Sequence, residues 1–284
     1  MRKYEPENYW QERLSKNFSL GGVGHSGFGQ EYNKWLYKAR IRALNKFVKN
    51  GCINPQGKSL LDIGCGTGFY IDYWERLGVT NIVGLDITEI SISRLSVIHP
   101  GYRFLRADIT ADNLELKNGF DTITAFDVLF HIVEEDKFEQ AISNIRSNSH
   151  QNTRILIMDN FLSWHRSPGF HENDRTFDSY QEVLEKNGLE MKYMIPIFYF
   201  MGTPIDLAAV KNRLRRTTLR YSWFLTSRLI SLGNKMRLPG RIMNYLLGGF
   251  LYILDGIVLK YAKDCPCTKL LLAQPKNSGQ RNRA

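Results

Sequence analysis

The chain has 284 residues, 43% hydrophobic and 23% charged, which excludes global disorder and allows one large domain with a sizeable insertion. The net charge of +10 is uneven, because basic stretches at 1–50 and 203–263 flank an acidic stretch at 51–202. The opening MRKYEPENYW lacks the apolar segment of a secretory signal, and four scattered cysteines exclude a disulfide framework. We therefore expect a cytoplasmic protein.

The first fifty residues precede the first predicted strand. Apolar residues at helical spacing between 9 and 14 predict a short helix. Residues 20–29 hold five glycines and predict a flexible loop that can serve as a lid. Residues 31–50 predict an amphipathic helix. We assign 1–50 to an N-terminal helical cap with a glycine-rich lid.

From residue 51 onward, apolar strands alternate with amphipathic helices. Strands are predicted at 59–63, 81–85, 103–107, 120–126, 154–158, near 190–200 and at 268–273. The alternation predicts an α/β fold with a mostly parallel sheet, which binds ligands beyond the carboxyl ends of its strands. Five of the strands end at or next to an acidic residue, namely Asp62, Asp86, Asp108, Asp127 and Asp159.

The sharpest motif is DIGCGTG at 62–68, between the first strand and the following helix. Gly64 and Gly66 permit a tight turn and let a ligand lie against the backbone. The next helix begins there and offers unpaired N–H groups. Asp86 ends the second strand, where its carboxylate can accept hydrogen bonds from both hydroxyls of a ribose. The motif predicts a site for a ribose-containing cofactor.

Two positions separate this motif from that of a nicotinamide-dependent dehydrogenase. Phe69 stands where the dehydrogenase fingerprint requires its third glycine. Asp62 precedes the first glycine, where a dehydrogenase has no use for an acid. A carboxylate at that position suits a ligand with an ammonium group.

Residues 60–132 resemble the class I methyltransferases that depend on S-adenosylmethionine (SAM), among them O-methyltransferases of small molecules and sugars. The resemblance implies a seven-stranded Rossmann-like sheet whose last strand is antiparallel, with SAM as the cofactor. In that family the glycine turn holds the methionine end, the second-strand acid holds the ribose, and the third-strand residues border the adenine. The implied cofactor-binding residues are Asp62, Gly64, Cys65, Gly66, Asp86, Ile87, Asp108, Ile109 and Phe126.

The resemblance also divides the remainder of the chain. We assign 51–202 to the methyltransferase core, 203–263 to a basic helical cap inserted between strands six and seven, 264–275 to the final core strand, and 276–284 to a disordered tail. The insertion starts at the carboxyl end of strand six, so we expect it to lie over the acceptor site. Within it, 242–259 is nearly all apolar. Three interpretations of that segment stay open: a buried cap helix, a membrane-interface or lipid-binding helix, and a membrane-spanning helix.

His131 is the first candidate for a general base, because it follows strand four closely and an imidazole suits proton transfer near neutral pH. His165, after strand five, is the second candidate. Asp127, Asp159 and Asn160 raise a metal alternative, since they resemble the magnesium site of catechol-type O-methyltransferases. The same three side chains could instead cap helices, and our primary assignment contains no metal.

We predict an O-methyltransferase that acts on a hydroxyl of a small molecule. The polar loop 165–175 favours a sugar or glycoconjugate, and the basic insertion favours an acceptor with an anionic or phosphate group. The alternatives are a membrane-associated methyltransferase of a lipid or lipid-linked glycan, with peripheral contact through 203–263, and a cofactor-binding or RNA-binding module. Asp127-Val128-Leu129-Phe130 lacks the Asn/Asp-Pro-Pro-aromatic turn of base amino-methylation, which argues against a nucleic acid acceptor.

Overall fold

The computed structural model describes residues 4–116, 119–262 and 264–277. Most of the predicted tail at 276–284 lies outside the described residues. The helices are α1 (Pro6–Lys16), α2 (Leu20–Val23), α3 (Gly29–Lys49), α4 (Phe69–Arg76), α5 (Glu89–Ile98), α6 (Glu135–Ser147), α7 (Phe177–Lys186), α8 (Arg213–Lys235) and α9 (Leu238–Val258). The strands are β1 (Ser59–Ile63), β2 (Asn81–Asp86), β3 (Arg103–Arg106), β4 (Phe120–Phe126), β5 (Ser149–Asp159), β6 (Leu189–Pro196) and β7 (Lys269–Pro275).

The seven strands form one sheet in the order β3-β2-β1-β4-β5-β7-β6. Strands β1 to β5 run parallel, and β7 runs antiparallel to both of its neighbours. This arrangement confirms the predicted Rossmann-like sheet with an antiparallel last strand. It also places the carboxyl ends of the first five strands along one edge, where the sequence predicted the site.

The sheet is covered on both faces because its strands alternate between two apolar clusters. Leu60 belongs to the cluster that includes Ile71 and Trp74 of α4. Its neighbour Leu61 belongs to the opposite cluster, which includes residues of α6 and α7 such as Ile142 and Leu184. Both strand residues are fully buried. Such two-sided burial is typical of parallel sheets.

The glycine-rich segment at 20–29 is more regular than the predicted loop, while its use as a lid stays a prediction. It forms α2 and a short 3₁₀ turn at Ser26–Phe28. A Cβ on Gly22 would lie 1.8 Å from the carbonyl oxygen of Asn17, and one on Gly24 would lie 2.4 Å from Oδ1 of Asn33. These two glycines therefore allow close packing against α3 and the preceding turn.

The insertion is helical, but it packs elsewhere than expected. Helix α9 packs along α3, and α8 packs on α9. Gly248 allows the contact, because a Cβ there would lie 2.6 Å from Cδ1 of Trp35. None of the described residues of 203–263 lines the cavity at the strand ends. The predicted position over the acceptor site is corrected accordingly: the side of α9 that carries Gly248 fits against α3, and its opposite side is exposed.

Candidate active site

A cavity opens at the carboxyl ends of β1, β2 and β4, under α1. Eight of the nine residues predicted to bind the cofactor line it: Gly64, Cys65, Gly66, Asp86, Ile87, Asp108, Ile109 and Phe126. His131 lines it as well, together with the aromatic side chains of Trp10, Tyr37, Phe69 and Tyr70. The structure thus brings one catalytic candidate and most of the predicted cofactor residues together.

The glycine turn after β1 needs glycine for two separate reasons. Gly64 has φ +70° and Gly66 has φ +52°, a region that side chains other than glycine rarely adopt. A Cβ on Gly64 would also lie 2.3 Å from Cγ2 of Val128, and one on Gly66 would lie 3.1 Å from Cγ1 of Val23. The turn therefore presents bare backbone to the cavity.

Asp86 organises this turn from the end of β2. Its Oδ2 accepts a hydrogen bond from the Gly66 N–H at 2.9 Å. Its Oδ1 accepts from the Thr88 N–H at 2.9 Å and from the Thr88 hydroxyl at 2.7 Å. A carboxylate has about four acceptor positions, so three are already used. One position is left for a ribose hydroxyl, fewer than the two expected from the sequence.

Asp62 lies directly behind the turn, outside the cavity wall. Its Oδ1 accepts from the Thr124 hydroxyl at 2.5 Å, while its Oδ2 is buried with no partner among the described residues. Burial raises the pKa of this carboxyl to about 7. A buried oxygen without a partner is costly, and a nearby cation would satisfy it. Asp62 does not line the cavity, so its contact with the ammonium group of SAM stays a prediction.

The far side of the cavity suits an adenine. Ile87 and Ile109 supply apolar wall, and Asp108 lines the cavity as well. Oδ1 of Asp108 accepts from the Thr110 N–H at 2.8 Å, which fixes the carboxylate at the end of β3. Bare backbone at one end, an acid in the middle and an apolar slot at the other end together fit SAM.

His131 is held in one tautomer. Its Nδ1 lies 2.9 Å from the carbonyl oxygen of His171. Because a carbonyl oxygen only accepts, Nδ1 carries the proton and Nε2 carries the lone pair. The ring packs edge-on against Trp10, with 4.9 Å between centroids. Burial lowers the pKa of His131 to about 4, so the imidazole is neutral near pH 7 but less basic than the sequence suggested.

His165 is exposed and does not line the cavity. Its loop is fixed by two contacts: the Ser163 hydroxyl donates to Asp206 at 2.7 Å, and Arg166 pairs with Asp174 at 2.7 Å. These anchors turn the intervening residues toward solvent. The prediction that His165 is a second candidate for the general base is therefore corrected, because the structure does not bring this residue to the cavity.

The three residues of the metal alternative bind to other side chains of the protein. Asp127 pairs with Arg40 at 2.8 Å. The buried Asp159 accepts a hydrogen bond from the Tyr180 hydroxyl, and the Asn160 amide donates to Asp174 at 2.5 Å. Within the described ranges, the His, Cys, Asp and Glu side chains close enough to share an ion are Asp72, Glu75 and His99. None of these three lines the cavity.

Arg40 is the main residue that the sequence analysis missed. It lies on α3 behind Asp127, stacked near the rings of Tyr37 and Phe198, and its Nε is buried without a partner among the described residues. A signal existed, because position 40 lies four residues from both Leu36 and Leu44 on the apolar side of the helix. A charge there points inward.

Comparison with known proteins identifies the family. The model described as a methyltransferase domain matches residues 32–194, which is more than half of the chain. The chain belongs to this methyltransferase family and, with its sheet order, to the class I SAM-dependent superfamily. The matched range begins in α3 and ends in β6, so it contains the whole cavity floor.

Curated relatives share shorter stretches. An mRNA cap guanine-N(7) methyltransferase from Caenorhabditis briggsae is 29% identical over 41% of this chain and 34% of its own length. A ubiquinone biosynthesis O-methyltransferase from Paracidovorax citrulli is 29% identical over 39% of this chain and 51% of its own length. The chain thus matches between a third and about half of the length of each of these relatives. Their names refer to different methyl acceptors.

Solved structures show the same fold at low identity. StiE O-MT has a TM-score of 0.52 at 13% identity, covering 93% of this chain and 84% of that chain. The [4+2]-cyclase SpnF has a TM-score of 0.50 at 16% identity, covering 83% and 80% respectively. One of the two names is that of a cyclase, so this fold by itself does not define the reaction.

Proposed function

We propose that this protein transfers the methyl group of SAM to a hydroxyl of a small-molecule acceptor. The observation that carries the proposal is the juxtaposition of the Gly64–Gly66 turn and Asp86 with the lone pair of His131 in one aromatic cavity. Membership of the methyltransferase family supports the transfer. The ubiquinone O-methyltransferases among the relatives support oxygen as the acceptor atom.

Different residues of the chain contribute to methyl transfer in different ways. Bound SAM supplies an electrophilic methyl group on a sulfonium. Rings of Tyr37, Tyr70 and Phe126 exclude water from the cavity and offer π faces that favour a cation. Burial raises the pKa of Tyr37 and Tyr70, so both hydroxyls stay protonated and can only donate or accept as neutral groups. Nε2 of His131 accepts the proton that the acceptor hydroxyl releases.

The finer proposal for the acceptor is a sugar or glycoconjugate. Its support is the polar loop 165–175, which touches the site through the bond between His131 and the His171 carbonyl. The loop's own residues do not line the cavity, and the cavity walls are largely apolar. An acceptor with a polar, hydroxylated part and an apolar part suits both features.

A lipid or lipid-linked glycan is the second candidate acceptor, because it combines both parts in one molecule. The observation that favours it is the exposed apolar surface of α8 and α9, where Leu246 is 65% and Phe250 is 64% exposed. An RNA-binding module without small-molecule chemistry is the third candidate, and transfer to a metabolite would exclude it.

The test is transfer of a deuterium-labelled methyl group. The protein, labelled SAM and either the soluble or the lipid-extracted fraction of a cell extract are incubated, and products are identified by mass spectrometry. We expect label on an acceptor oxygen, lost in Gly66→Val and retained in Gly101→Val, since a Cβ on Gly101 meets no atom within 4 Å. Label on nitrogen or carbon, or equal labelling by both variants, would contradict the proposal.

A further inference from the structure

Helices α8 and α9 expose an unusual number of large apolar side chains. We propose that this hairpin surface docks on an anionic lipid bilayer and holds the protein at the membrane, which goes beyond methyl transfer and does not depend on it. The hairpin surface consists of Leu214, Tyr221, Phe224, Leu225 and Leu232 of α8 with Leu238, Ile242, Tyr245, Leu246, Phe250, Ile253 and Ile257 of α9.

The surface is the outer face of helices whose inner faces are already packed. In α9 the buried residues Asn244, Gly248 and Leu251 face α3 and α8, while Leu246 and Phe250 lie on the opposite side of the helix. A surface helix in a water-soluble domain normally carries polar residues on its outer side. Contiguous exposed apolar surface of this kind marks an interaction site.

Charge decides what covers the surface. Residues 211–262 hold ten lysines and arginines and one acid, Asp255, which is fully buried. Ion pairs on the hairpin join Arg215 to Asp264 and Arg241 to Glu31. Other exposed cations of this stretch have no ion pair among the residues that the structure describes, namely Lys211, Arg213, Arg220, Lys235 and Arg237.

The charge of these cations indicates which kind of partner binds the hairpin surface. A second copy of the chain would bring the same positive charges together, whereas anionic headgroups complement them. An apolar helical face beside lysines and arginines is the pattern of a helix that lies in the membrane interface. The lipid surface is therefore the occupant that fits both the apolar face and its charge.

The hairpin lies on the membrane, not across it. Leu238–Val258 is long and apolar enough to span a bilayer by length and composition. Its inner face, however, is tied to the domain: Asp255 accepts from the N–H groups of Tyr199 and Phe200 at 2.9 and 2.8 Å, and Arg42 donates to the Tyr252 carbonyl at 2.6 Å. Spanning would break these bonds, while docking of the outer face preserves them.

The hairpin also touches the segment that reaches the cavity. Trp223 of α8 packs edge-on against Phe28 at 5.5 Å, and the Asn234 amide donates to the Gly27 carbonyl at 2.8 Å. A few residues earlier, Val23 lines the cavity. A docked membrane would thus lie on a hairpin that directly supports one wall of the site.

The test is flotation of the full chain with phosphatidylcholine vesicles that contain or lack phosphatidylglycerol. We compare Leu246→Glu/Phe250→Glu with the matched control Val97→Glu/Ile98→Glu, which places two glutamates on α5 at side chains that are 80% and 58% exposed. Each hairpin glutamate should lower the vesicle partition coefficient about tenfold, because an apolar side chain no longer enters the interface. Binding should also weaken at high salt.

Three results would overturn the proposal: no flotation of the unmodified protein, flotation that is equal without phosphatidylglycerol, or equal loss in the control. Sedimentation of the same samples identifies a competing occupant. A dimer that the hairpin glutamates dissociate, with no vesicle binding, would show that a second copy covers the surface. Calorimetric SAM binding, which both variants should retain, confirms that they are folded.

Discussion

The guanidinium of Arg40 lies 2.8 Å from the carboxylate of Asp127, and this ion pair joins α3 to the turn that follows β4. Asp127 has φ +57°, a conformation that aspartate and asparagine tolerate better than other residues with a Cβ. The pair therefore holds an unusual backbone turn at the cavity wall. It also links α3 to the core, close to His131.

Asp127→Asn should destabilise the protein strongly. Asparagine keeps the backbone turn but leaves the Arg40 charge, which is only 11% exposed, without its counter-ion, a change that costs about 3 kcal/mol, the lower end for buried pairs. Arg40→Met in the same chain should restore much of the loss, because both charges are then gone. Urea unfolding of both single variants and the double variant measures the coupling. Additive losses would show that the two residues act independently.

His131 should show its tautomer and its pKa by nuclear magnetic resonance. Burial lowers the pKa to about 4, and the His171 carbonyl fixes the proton on Nδ1. Long-range proton–nitrogen spectra should show a neutral Nδ1–H ring from pH 8 down to pH 5. A titration midpoint near the ordinary value of about 6.5 would contradict the buried site. With the labelled acceptor in hand, His131→Gln should lower turnover by about 10²–10⁴ and leave SAM binding intact.

Asp62 should make the free protein less stable as the pH rises. The pKa of the folded carboxyl is about 7, whereas the unfolded value is about 4. Between these values the unfolded chain releases a proton that the folded chain keeps, so the free energy of unfolding falls with increasing pH. Relative to Asp62→Asn, the wild type should lose on the order of 4 kcal/mol from pH 4 to pH 7.

Urea unfolding across this pH range measures the difference. Asp112→Asn, which removes an exposed carboxylate, is the matched control and should follow the wild type. A constant difference between wild type and Asp62→Asn would mean that the carboxyl is ionised throughout. Because a bound ammonium favours the ionised form, SAM binding near pH 6 should also release protons, which calorimetry in two buffers detects.

Gly248→Leu should loosen the hairpin from the core. A Cβ at this position would lie 2.6 Å from Cδ1 of Trp35, so a larger side chain forces α9 away from α3 at a cost of about 1–3 kcal/mol. Thermal unfolding and hydrogen exchange in α9 measure the effect. Gly101→Leu, in open space, is the control. Unchanged exchange in α9 would show that this contact does not hold the hairpin.

The sequence predicted the parts of this molecule that depend on local pattern. Alternating apolar runs defined the strands, and the glycine turn with Asp86 defined the cofactor end of the site. The placement of α9 escaped prediction because its packed side carries Asn244, Gly248 and Asp255, whereas its large apolar residues are exposed. The low pKa of His131 escaped it too, since one of the rings packed against this histidine belongs to Trp10, more than a hundred positions away in the chain.

The most direct measurement of the central claim is calorimetric binding of SAM to the wild type, Gly66→Val and Gly101→Val. A valine at Gly66 adds a side chain toward Val23, where a Cβ already lies at 3.1 Å and the backbone has φ +52°. We predict micromolar binding by the wild type and by Gly101→Val, and none by a folded Gly66→Val. Undiminished binding by Gly66→Val, or preference for a nicotinamide dinucleotide over SAM, would contradict it.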